Sequence, residues 1–98
     1  MRRAAKIDRN QPEIVRALRQ AGASVLCLHT VGQGCPDLLV DFRRKTMLME
    51  IKDGELPPSK RMLTDDERQF FTWWTGPAYV VKSVAEALEV LNGTNVRD

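Results

Sequence analysis

The sequence predicts a small α/β domain in which helices flank a mixed central sheet. Segments whose apolar residues recur at helical spacing are interleaved with short apolar segments bounded by turn residues, in the order αβββαβα. A chain of 98 residues has room for one hydrophobic core, so residues 1–98 are expected to form a single domain.

The first helix is predicted by apolar residues at helical spacing: Ile14, Val15, Leu18 and Ala21. Asn10 and Glu13 have the spacing of a capping box at its start, and Gly22 ends it. The apolar segment 23–29 follows and is bounded by VGQG, which indicates a buried strand.

The next two strands, 37–42 and 46–51, are expected to form a hairpin. A tight basic connection joins them, made of Arg43, Arg44 and Lys45. If position 41 pairs with position 46, Asp37 lies directly opposite Glu50. Because strand side chains alternate between faces, Glu50 and Lys52 share the face on which Asp37 lies.

The second half of the chain adds two helices and a fourth strand. Thr64 is expected to cap a helix that runs to Trp74, with acidic residues in its first turn where the helix dipole favours them. Segment 78–82 indicates the fourth strand. Ser83 then caps a last helix, which Gly93 ends.

Composition and charge exclude several classes of protein. With 43% hydrophobic and 29% charged residues, the chain is typical of a globular protein rather than a disordered tail. No apolar run is long enough to cross a bilayer, so we expect no membrane association. The basic N-terminus is followed by no apolar signal segment, which indicates a cytoplasmic location with Cys27 and Cys35 as buried thiols.

The basic residues are clustered, although a net charge of +2 is too small to indicate a nucleic-acid partner. Arg43 and Arg44 lie in the predicted hairpin turn, and Lys60 and Arg61 lie in a Pro-rich loop. Together these four residues are candidates for a discontinuous phosphate-binding surface. Solvated surface charge is the alternative for each cluster.

The charged end of the hairpin is a candidate metal site. Two carboxylates opposite each other, Asp37 and Glu50, repel unless a cation is present. Oxygen ligands of this kind suit Mg²⁺ or Mn²⁺, and Lys52 would offset charge beside them. The alternative is a solvated pair of Glu50 and Lys52, with Asp37 as a turn residue.

A zinc site is the rival interpretation. Cys27, His29 and Cys35 are possible ligands, but structural zinc takes four ligands in paired spacing, and no second pair follows. His29 is therefore expected to be a structural residue at the end of a strand. Asp41 and Asp53 are expected to be solvated.

The wider pattern resembles the PD-(D/E)xK nuclease superfamily. Its motif is matched by Pro36 and Asp37, then twelve residues, then Glu50, Ile51 and Lys52. A preceding helix carries Glu13, as in the family. The chain is most similar to the compact VRR-Nuc group of phages and bacteria, because segment 78–91 resembles the strand and helix that close those domains, although Lys82 stands where arginine is more usual.

This resemblance implies a restriction-endonuclease-like core and a metal-dependent deoxyribonuclease that hydrolyses phosphodiesters in branched or four-way (Holliday) junction DNA. It implies Mg²⁺ or Mn²⁺ bound by Asp37, Glu50, the carbonyl of Ile51 and Glu13. It also implies that Lys52 and Gln69 complete the catalytic set. Glu13 as a capping residue and Gln69 as a surface residue are the alternatives, and the alternative for the whole chain is a non-catalytic DNA-binding or assembly module.

A homodimer is expected from the second predicted helix. Four large aromatic residues lie within five positions: Phe70, Phe71, Trp73 and Trp74. They span an arc of about 160 degrees, which is wide for one small core. The resemblance implies pairing as well. The alternative is that the last helix covers all of these rings.

Overall fold

Three helices and four strands make up the described part of the chain, residues 7–93, in this computed structural model. They are α1 (Gln11–Gln20), β1 (Ser24–Cys27), β2 (Leu38–Phe42), β3 (Lys45–Ile51), α2 (Asp65–Trp73), β4 (Ala78–Val81) and α3 (Val84–Leu91). A short 3-10 turn, Pro58–Lys60, lies between β3 and α2. The predicted α/β class is confirmed.

The strands form one mixed sheet in the order β1-β2-β3-β4. The first three pair antiparallel, and β4 lies parallel to β3 because α2 provides the crossover. The predicted hairpin register is confirmed, since Leu38 pairs with Met49 and Asp41 with Thr46.

The hairpin turn is tighter than predicted. Lys45 already pairs in β3, and only Arg43 and Arg44 remain in the turn, both with positive φ (52° and 68°). Two residues of positive φ give the twist that suits a two-residue hairpin turn.

The start of α1 differs from the prediction. The backbone of Asn10 is in a helical conformation (φ −86°, ψ 0°), and its side chain makes no capping hydrogen bond. The predicted capping box with Glu13 is therefore wrong. The Asn10 side-chain amide instead donates to the main-chain carbonyls of Lys52 and Lys82, at the ends of β3 and β4.

One face of the sheet carries the hydrophobic core, against α1 and α3. Its buried side chains are Ile14, Val15 and Leu18 of α1; Ala23 and Val25; Leu38 and Val40; Met47, Met49 and Ile51; Val81; and Ala87, Val90 and Leu91 of α3. Every second residue of β3 contributes, because strand side chains alternate between faces. Helix α2 adds no residue to this core.

The opposite face is covered only in part. Leu48 of β3 and Phe70 of α2 are buried outside the main core. Trp73 is 63% exposed and Trp74 38%, although both rings pack on Phe70 at centroid distances of 5.3 and 5.1 Å. Because α3 packs with α1 in the main core, the alternative in which α3 covers all these rings is wrong.

Helix α2 begins at a capping box and fits closely against the loop before β2. The Thr64 hydroxyl accepts from the Glu67 amide, and the Glu67 carboxylate accepts from the Thr64 amide. A Cβ atom on Gly34 would overlap the main-chain carbonyl of Asp66 in the first turn of α2. Gly34 also has a φ of +77°, a conformation that side chains disfavour, so only glycine fits at this approach.

None of the helices within residues 7–93 is long and apolar enough to span a membrane. Among the cysteines, Cys35 is partly buried but Cys27 is exposed, so the predicted burial of Cys27 is wrong. Cys27 shares the face of Val25, but it lies at the end of the edge strand β1, where it lines an open apolar cavity instead of the core.

Candidate active site

The candidate site lies where β2 begins and β3 ends. Glu50 is only 3% exposed, and it shares a sheet face with Leu48, on the side away from the main core. Asp37 directly precedes β2, and its Oδ2 accepts a hydrogen bond of 2.8 Å from the amide of Ile51. Beyond the last hairpin pair, the Asp37 carboxylate accepts the hydrogen bond that a strand carbonyl would otherwise accept. This bond holds the Asp37 side chain beside Glu50, as the register predicted.

Lys52 and Glu67 complete the cluster. The Lys52 ammonium lies 2.8 Å from Glu67 Oε1 and 3.5 Å from Glu50 Oε2, and its side chain is only 12% exposed. Glu67 is held in turn by the amide of Thr64 in the capping box. Three carboxylates and one ammonium therefore share a partly buried volume, and they carry a net negative charge if all are ionised.

Burial perturbs the acidic groups of the cluster. Burial, followed by the charges of Asp37 and Glu67, raises the pKa of Glu50 to about 9. Burial also raises the pKa of Asp37 against the opposing hydrogen bond from Ile51, and the charge of Asp8 adds to the rise. Without a further cation the site therefore retains a proton at neutral pH.

The other two groups stay charged. Burial alone would lower the pKa of Lys52, but the hydrogen bond and charge of Glu67 and the charge of Glu50 outweigh burial, so the pKa is raised. Burial alone would raise the pKa of Glu67, yet its hydrogen bonds from Lys52 and Thr64 lower the pKa. Lys52 is therefore an ammonium at neutral pH and cannot act as a general base in this state.

The cluster has a free acceptor that suits a hard cation. Glu50 Oε1 is buried and has no hydrogen-bond partner within the described chain. Asp37 and Glu50 offer carboxylate oxygens, the donors that Mg²⁺ and Mn²⁺ prefer. Residues 7–93 contain no group of three or more His, Cys, Asp or Glu side chains arranged to hold a metal ion. Of the carboxylates in the cluster, Glu67 is engaged by Lys52. The donors fit an ion that keeps several water ligands.

Two acidic contributors were not singled out by sequence. Glu67 was predicted only as an acid favoured by the helix dipole, although its spacing from Thr64 is that of a capping box, which would have fixed its orientation. Asp8 acts on Asp37 through its charge. No local pattern marks Asp8, because it reaches the site from a segment 29 residues away along the chain.

The structure does not bring Glu13 or Gln69 to this cluster. Glu13 is exposed and lines a separate polar cavity of about 430 Å³, together with Asp53 and Lys82. Gln69 is exposed on α2, beside Arg68 and Thr72. Among the hydrogen bonds and ion pairs of residues 7–93, none joins either residue to Asp37 or Glu50, so their catalytic roles stay predictions.

Asp53, which follows Lys52, was expected to be solvated, and that prediction is wrong. It is 5% exposed and pairs with Arg9, whose guanidinium lies 2.9 Å away and also contacts Glu55. A buried carboxylate needs such a partner. Arg9 and Asn10 together attach the start of α1 to the segment that follows β3.

The predicted phosphate-binding residues form two separate groups. Arg43 and Arg44 are exposed in the hairpin turn, and the Arg43 guanidinium lies over the Phe42 ring. The strand between this turn and Asp37 spans five residues, or about 17 Å. Lys60 is exposed beyond β3, whereas Arg61 is partly buried in the polar cavity.

The rival zinc ligands lie in two places: Cys27 and His29 line one cavity, whereas Cys35 lies near the carboxylate cluster, since burial and then the charges of Glu50 and Asp37 raise the pKa of its thiol. Cys27 and His29 line an apolar cavity of about 620 Å³ between α1 and β1, and His29 Nδ1 is buried there with no hydrogen-bond partner in the described chain. Cys35 does not line that cavity, which gives no support to a zinc site.

Comparison of the chain with protein-family models, with curated proteins and with solved structures finds no significant match.

Proposed function

We propose that this chain is a divalent-metal-dependent endonuclease of the PD-(D/E)xK type, acting on phosphodiesters in branched DNA. The observation that carries the proposal is the buried Glu50 opposite Asp37 with Lys52 beside it, at the end of a sheet. Burying three ionisable groups together costs free energy, which a purely structural role does not require. Perturbed carboxylates of this kind are concentrated at functional sites.

Asp37, Glu50 and the Ile51 carbonyl are the groups that would hold Mg²⁺ or Mn²⁺. The unpartnered Glu50 Oε1 and the shared negative charge support this assignment. Bound there, such an ion supplies an activated water and polarises the phosphate. Glu13 remains a candidate for the same shell, and it would have to approach from the neighbouring polar cavity.

Three groups of the chain would orient and stabilise the reacting phosphate and its metal site. The Ile51 amide fixes the orientation of Asp37. The Lys52 ammonium supplies a fixed positive charge, which favours the extra negative charge that develops on phosphorus during hydrolysis. Glu67 orients that ammonium through its 2.8 Å contact.

DNA would contact the protein beyond this site as well. Arg43 and Arg44 are exposed in the hairpin turn, about 17 Å along β2 from Asp37, and Lys60 is exposed in the loop between β3 and α2. Cations at these positions would contact phosphates other than the one being cut. Such contacts position the backbone without reading its sequence.

A homodimer accompanies the proposal. The exposed rings of Trp73 and Trp74 lie on the helix whose first turn contacts Lys52, so a second copy packed on α2 would place two sites near one interface. Symmetric incision of a four-way junction requires two sites related by a two-fold axis.

Cleavage assays with a matched variant test the proposal. Purified protein should cut flapped and four-way junction DNA with Mg²⁺ or Mn²⁺, and EDTA should stop the reaction. Asp37→Asn keeps the volume of the side chain and removes its charge, so it should abolish cleavage while junction binding in Ca²⁺ persists. Asp41→Asn is the matched control, since Asp41 lies on β2 near Asp37 in the chain, is exposed, and accepts a hydrogen bond from the Thr46 hydroxyl.

Two results would contradict the enzyme. Full cleavage by Asp37→Asn with the same metal would show that Asp37 does not belong to the catalytic site. Absence of cleavage by the wild type on supercoiled, linear, flapped and four-way DNA, with binding retained, would favour the alternative of a non-catalytic DNA-binding module.

A further inference from the structure

The geometry points to Asn10 as a positioning residue that holds the end of β3, and so the Lys52 side chain, in place for the proposed reaction; this inference rests on the proposed function. Its side-chain amide nitrogen lies 3.1 Å from the Lys52 carbonyl and 3.2 Å from the Lys82 carbonyl. Asn10 is buried, and 42 residues of chain separate it from Lys52.

The end of β3 needs this support because the sheet stops there. On the β2 side, the last paired residues are Leu38 and Met49, and beyond them only the Asp37 carboxylate meets β3. On the β4 side, the last paired residues are Ile51 and Val81. The Lys52 amide still donates to Val81, but the donor for the Lys52 carbonyl is Asn10.

The two carbonyls that Asn10 bridges are not equally dependent on it. The Lys82 carbonyl also accepts from the amide of Gly54, at 3.2 Å, and so keeps a partner without Asn10. The Lys52 carbonyl has Asn10 as its hydrogen-bond partner in the described chain. Loss of the Asn10 amide therefore acts mainly on Lys52.

A displaced backbone at Lys52 would move its ammonium. From the present backbone position, the Nζ atom lies 3.5 Å from Glu50 and 2.8 Å from Glu67. Catalytic charges lose much of their effect when displaced by about 1 Å, and a shift of that size costs about 100-fold in rate. Asn10 thus acts through Lys52 and touches no reacting atom itself.

The helix start offers a way to separate this role from ordinary stability. Asn10 precedes α1 but makes no capping hydrogen bond, so its side chain is committed to the two carbonyls. Asn10→Asp keeps the shape of the side chain, yet an ionised carboxylate donates no hydrogen bond. The substitution therefore removes the bridge and breaks no capping hydrogen bond, since Asn10 makes none.

The control is Arg19→Ala, at the other end of the same helix. Arg19 donates to the Val25 carbonyl at 2.9 Å, so this variant also breaks a hydrogen bond from α1 to a strand carbonyl, but far from Lys52. Asn10→Ala is the second variant, for use if Asn10→Asp does not fold. Urea unfolding first establishes that each variant is folded.

Two readouts are then compared. The first is acetylation of Lys52 by acetic anhydride, followed by peptide mass spectrometry and normalised to the exposed Lys45 and Lys60. The second is the cleavage rate of junction DNA at saturating and limiting DNA concentration. We expect Asn10→Asp to raise Lys52 acetylation several-fold, to lower the saturated rate by about 100-fold, and to leave KM unchanged. Arg19→Ala should change neither readout.

The outcomes separate the inference from the proposed function. If the wild type cuts no DNA, the proposed function fails, while the acetylation result still decides whether Asn10 holds Lys52. If folded Asn10→Asp keeps Lys52 as protected as in the wild type, the inference is overturned, whatever happens to the rate. Equal acetylation of Lys52 in Arg19→Ala and Asn10→Asp would also overturn it, because the effect would then be general loosening.

Discussion

The two faces of the sheet differ in what covers them. On one face, α1 and α3 bury a continuous set of aliphatic side chains in which Ile14, Leu18 and Met49 are fully buried. On the other, Leu48 of β3 and Phe70 of α2 are buried outside that set, and Glu67 of α2 forms an ion pair with Lys52. The first face thus supplies most of the apolar burial that stabilises the fold.

The α2 face carries features that lower the stability of the domain. Buried carboxylates, a backbone approach that admits only glycine at position 34 and exposed tryptophans each weaken a small domain. A chain of this size has little stability to spare. The α1–α3 face therefore carries most of the burial that stabilises the fold, while the α2 face carries the candidate site and the exposed rings. Substitutions on the two faces should separate stability from activity.

The largest effect is expected on the core face. Leu18→Ala removes a fully buried side chain between α1 and the sheet, and should lower the free energy of unfolding by about 2–5 kcal/mol. Urea denaturation followed by circular dichroism measures this. Any cleavage activity should persist at temperatures where the variant is still folded. A loss below about 1 kcal/mol would show that this face does not carry the fold.

Gly34→Ala should have the next largest effect, and Gly32→Ala is its control. Both glycines have positive φ, so alanine strains the backbone at either position by about 1–3 kcal/mol. Only at Gly34 would the new Cβ also overlap Asp66 and push the first turn of α2 away from Lys52. We expect Gly34→Ala to be the less stable variant by urea denaturation and to lose cleavage, while Gly32→Ala retains it. Equal behaviour of the two would mean that α2 is not held by this approach.

A pH-dependent effect is expected for Glu50→Gln in EDTA. The pKa of Glu50 is raised from 4.5 to about 9, so the folded state binds a proton that the unfolded state releases. This contribution to stability is fully present below about pH 4.5 and is lost as pH rises toward 9, by at most about 1.4 kcal/mol per pH unit. The amide introduced by Glu50→Gln does not titrate, so the variant should gain stability relative to the wild type across this window.

The titration of Glu67, Lys52 and Asp37 does not produce the same difference between wild type and Glu50→Gln. Glu67 has a lowered pKa, so its contribution changes only as pH falls below 4.5, and the raised pKa of Lys52 acts only above 10.5. Asp37 has the same sign as Glu50 but is present in both proteins. The free energy of unfolding is measured for both proteins from pH 5 to pH 9. A difference between wild type and Glu50→Gln that stays constant over this range would contradict the raised pKa of Glu50.

Sequence predicted the part of the site that lies on one hairpin. A tight turn between segments 37–42 and 46–51 fixes the register, and the register alone sets Asp37 opposite Glu50. The α1 contribution could not be derived in the same way. Asn10 and Glu13 fit a capping box equally well whether or not the box forms, and the choice was decided by two carbonyls from distant strands. Local patterns do not encode such long-range partners.

The smallest effect on the stability of one subunit, and the sharpest test of the α2 face, is expected from Trp73→Ala. Trp73 is 63% exposed but packs edge-on against Phe70, so its loss should lower the free energy of unfolding of a single subunit by about 0.5–1.5 kcal/mol. If a second copy packs on this ring, the same change removes a large aromatic anchor from an interface. Light scattering of the wild type at micromolar concentration should report twice the chain mass of 11.1 kDa, and the variant should report the chain mass.

Leu26→Ala is the matched control for Trp73→Ala, because Leu26 is 61% exposed but lies on β1, at the far edge of the sheet from β4. The control should remain a dimer and cut both strands of a junction symmetrically. Trp73→Ala should instead leave single nicks, since its two sites are no longer held about one axis. A monomeric wild type, or a dimer that Leu26→Ala dissociates and Trp73→Ala does not, would show that the exposed tryptophans are not the surface on which copies pair.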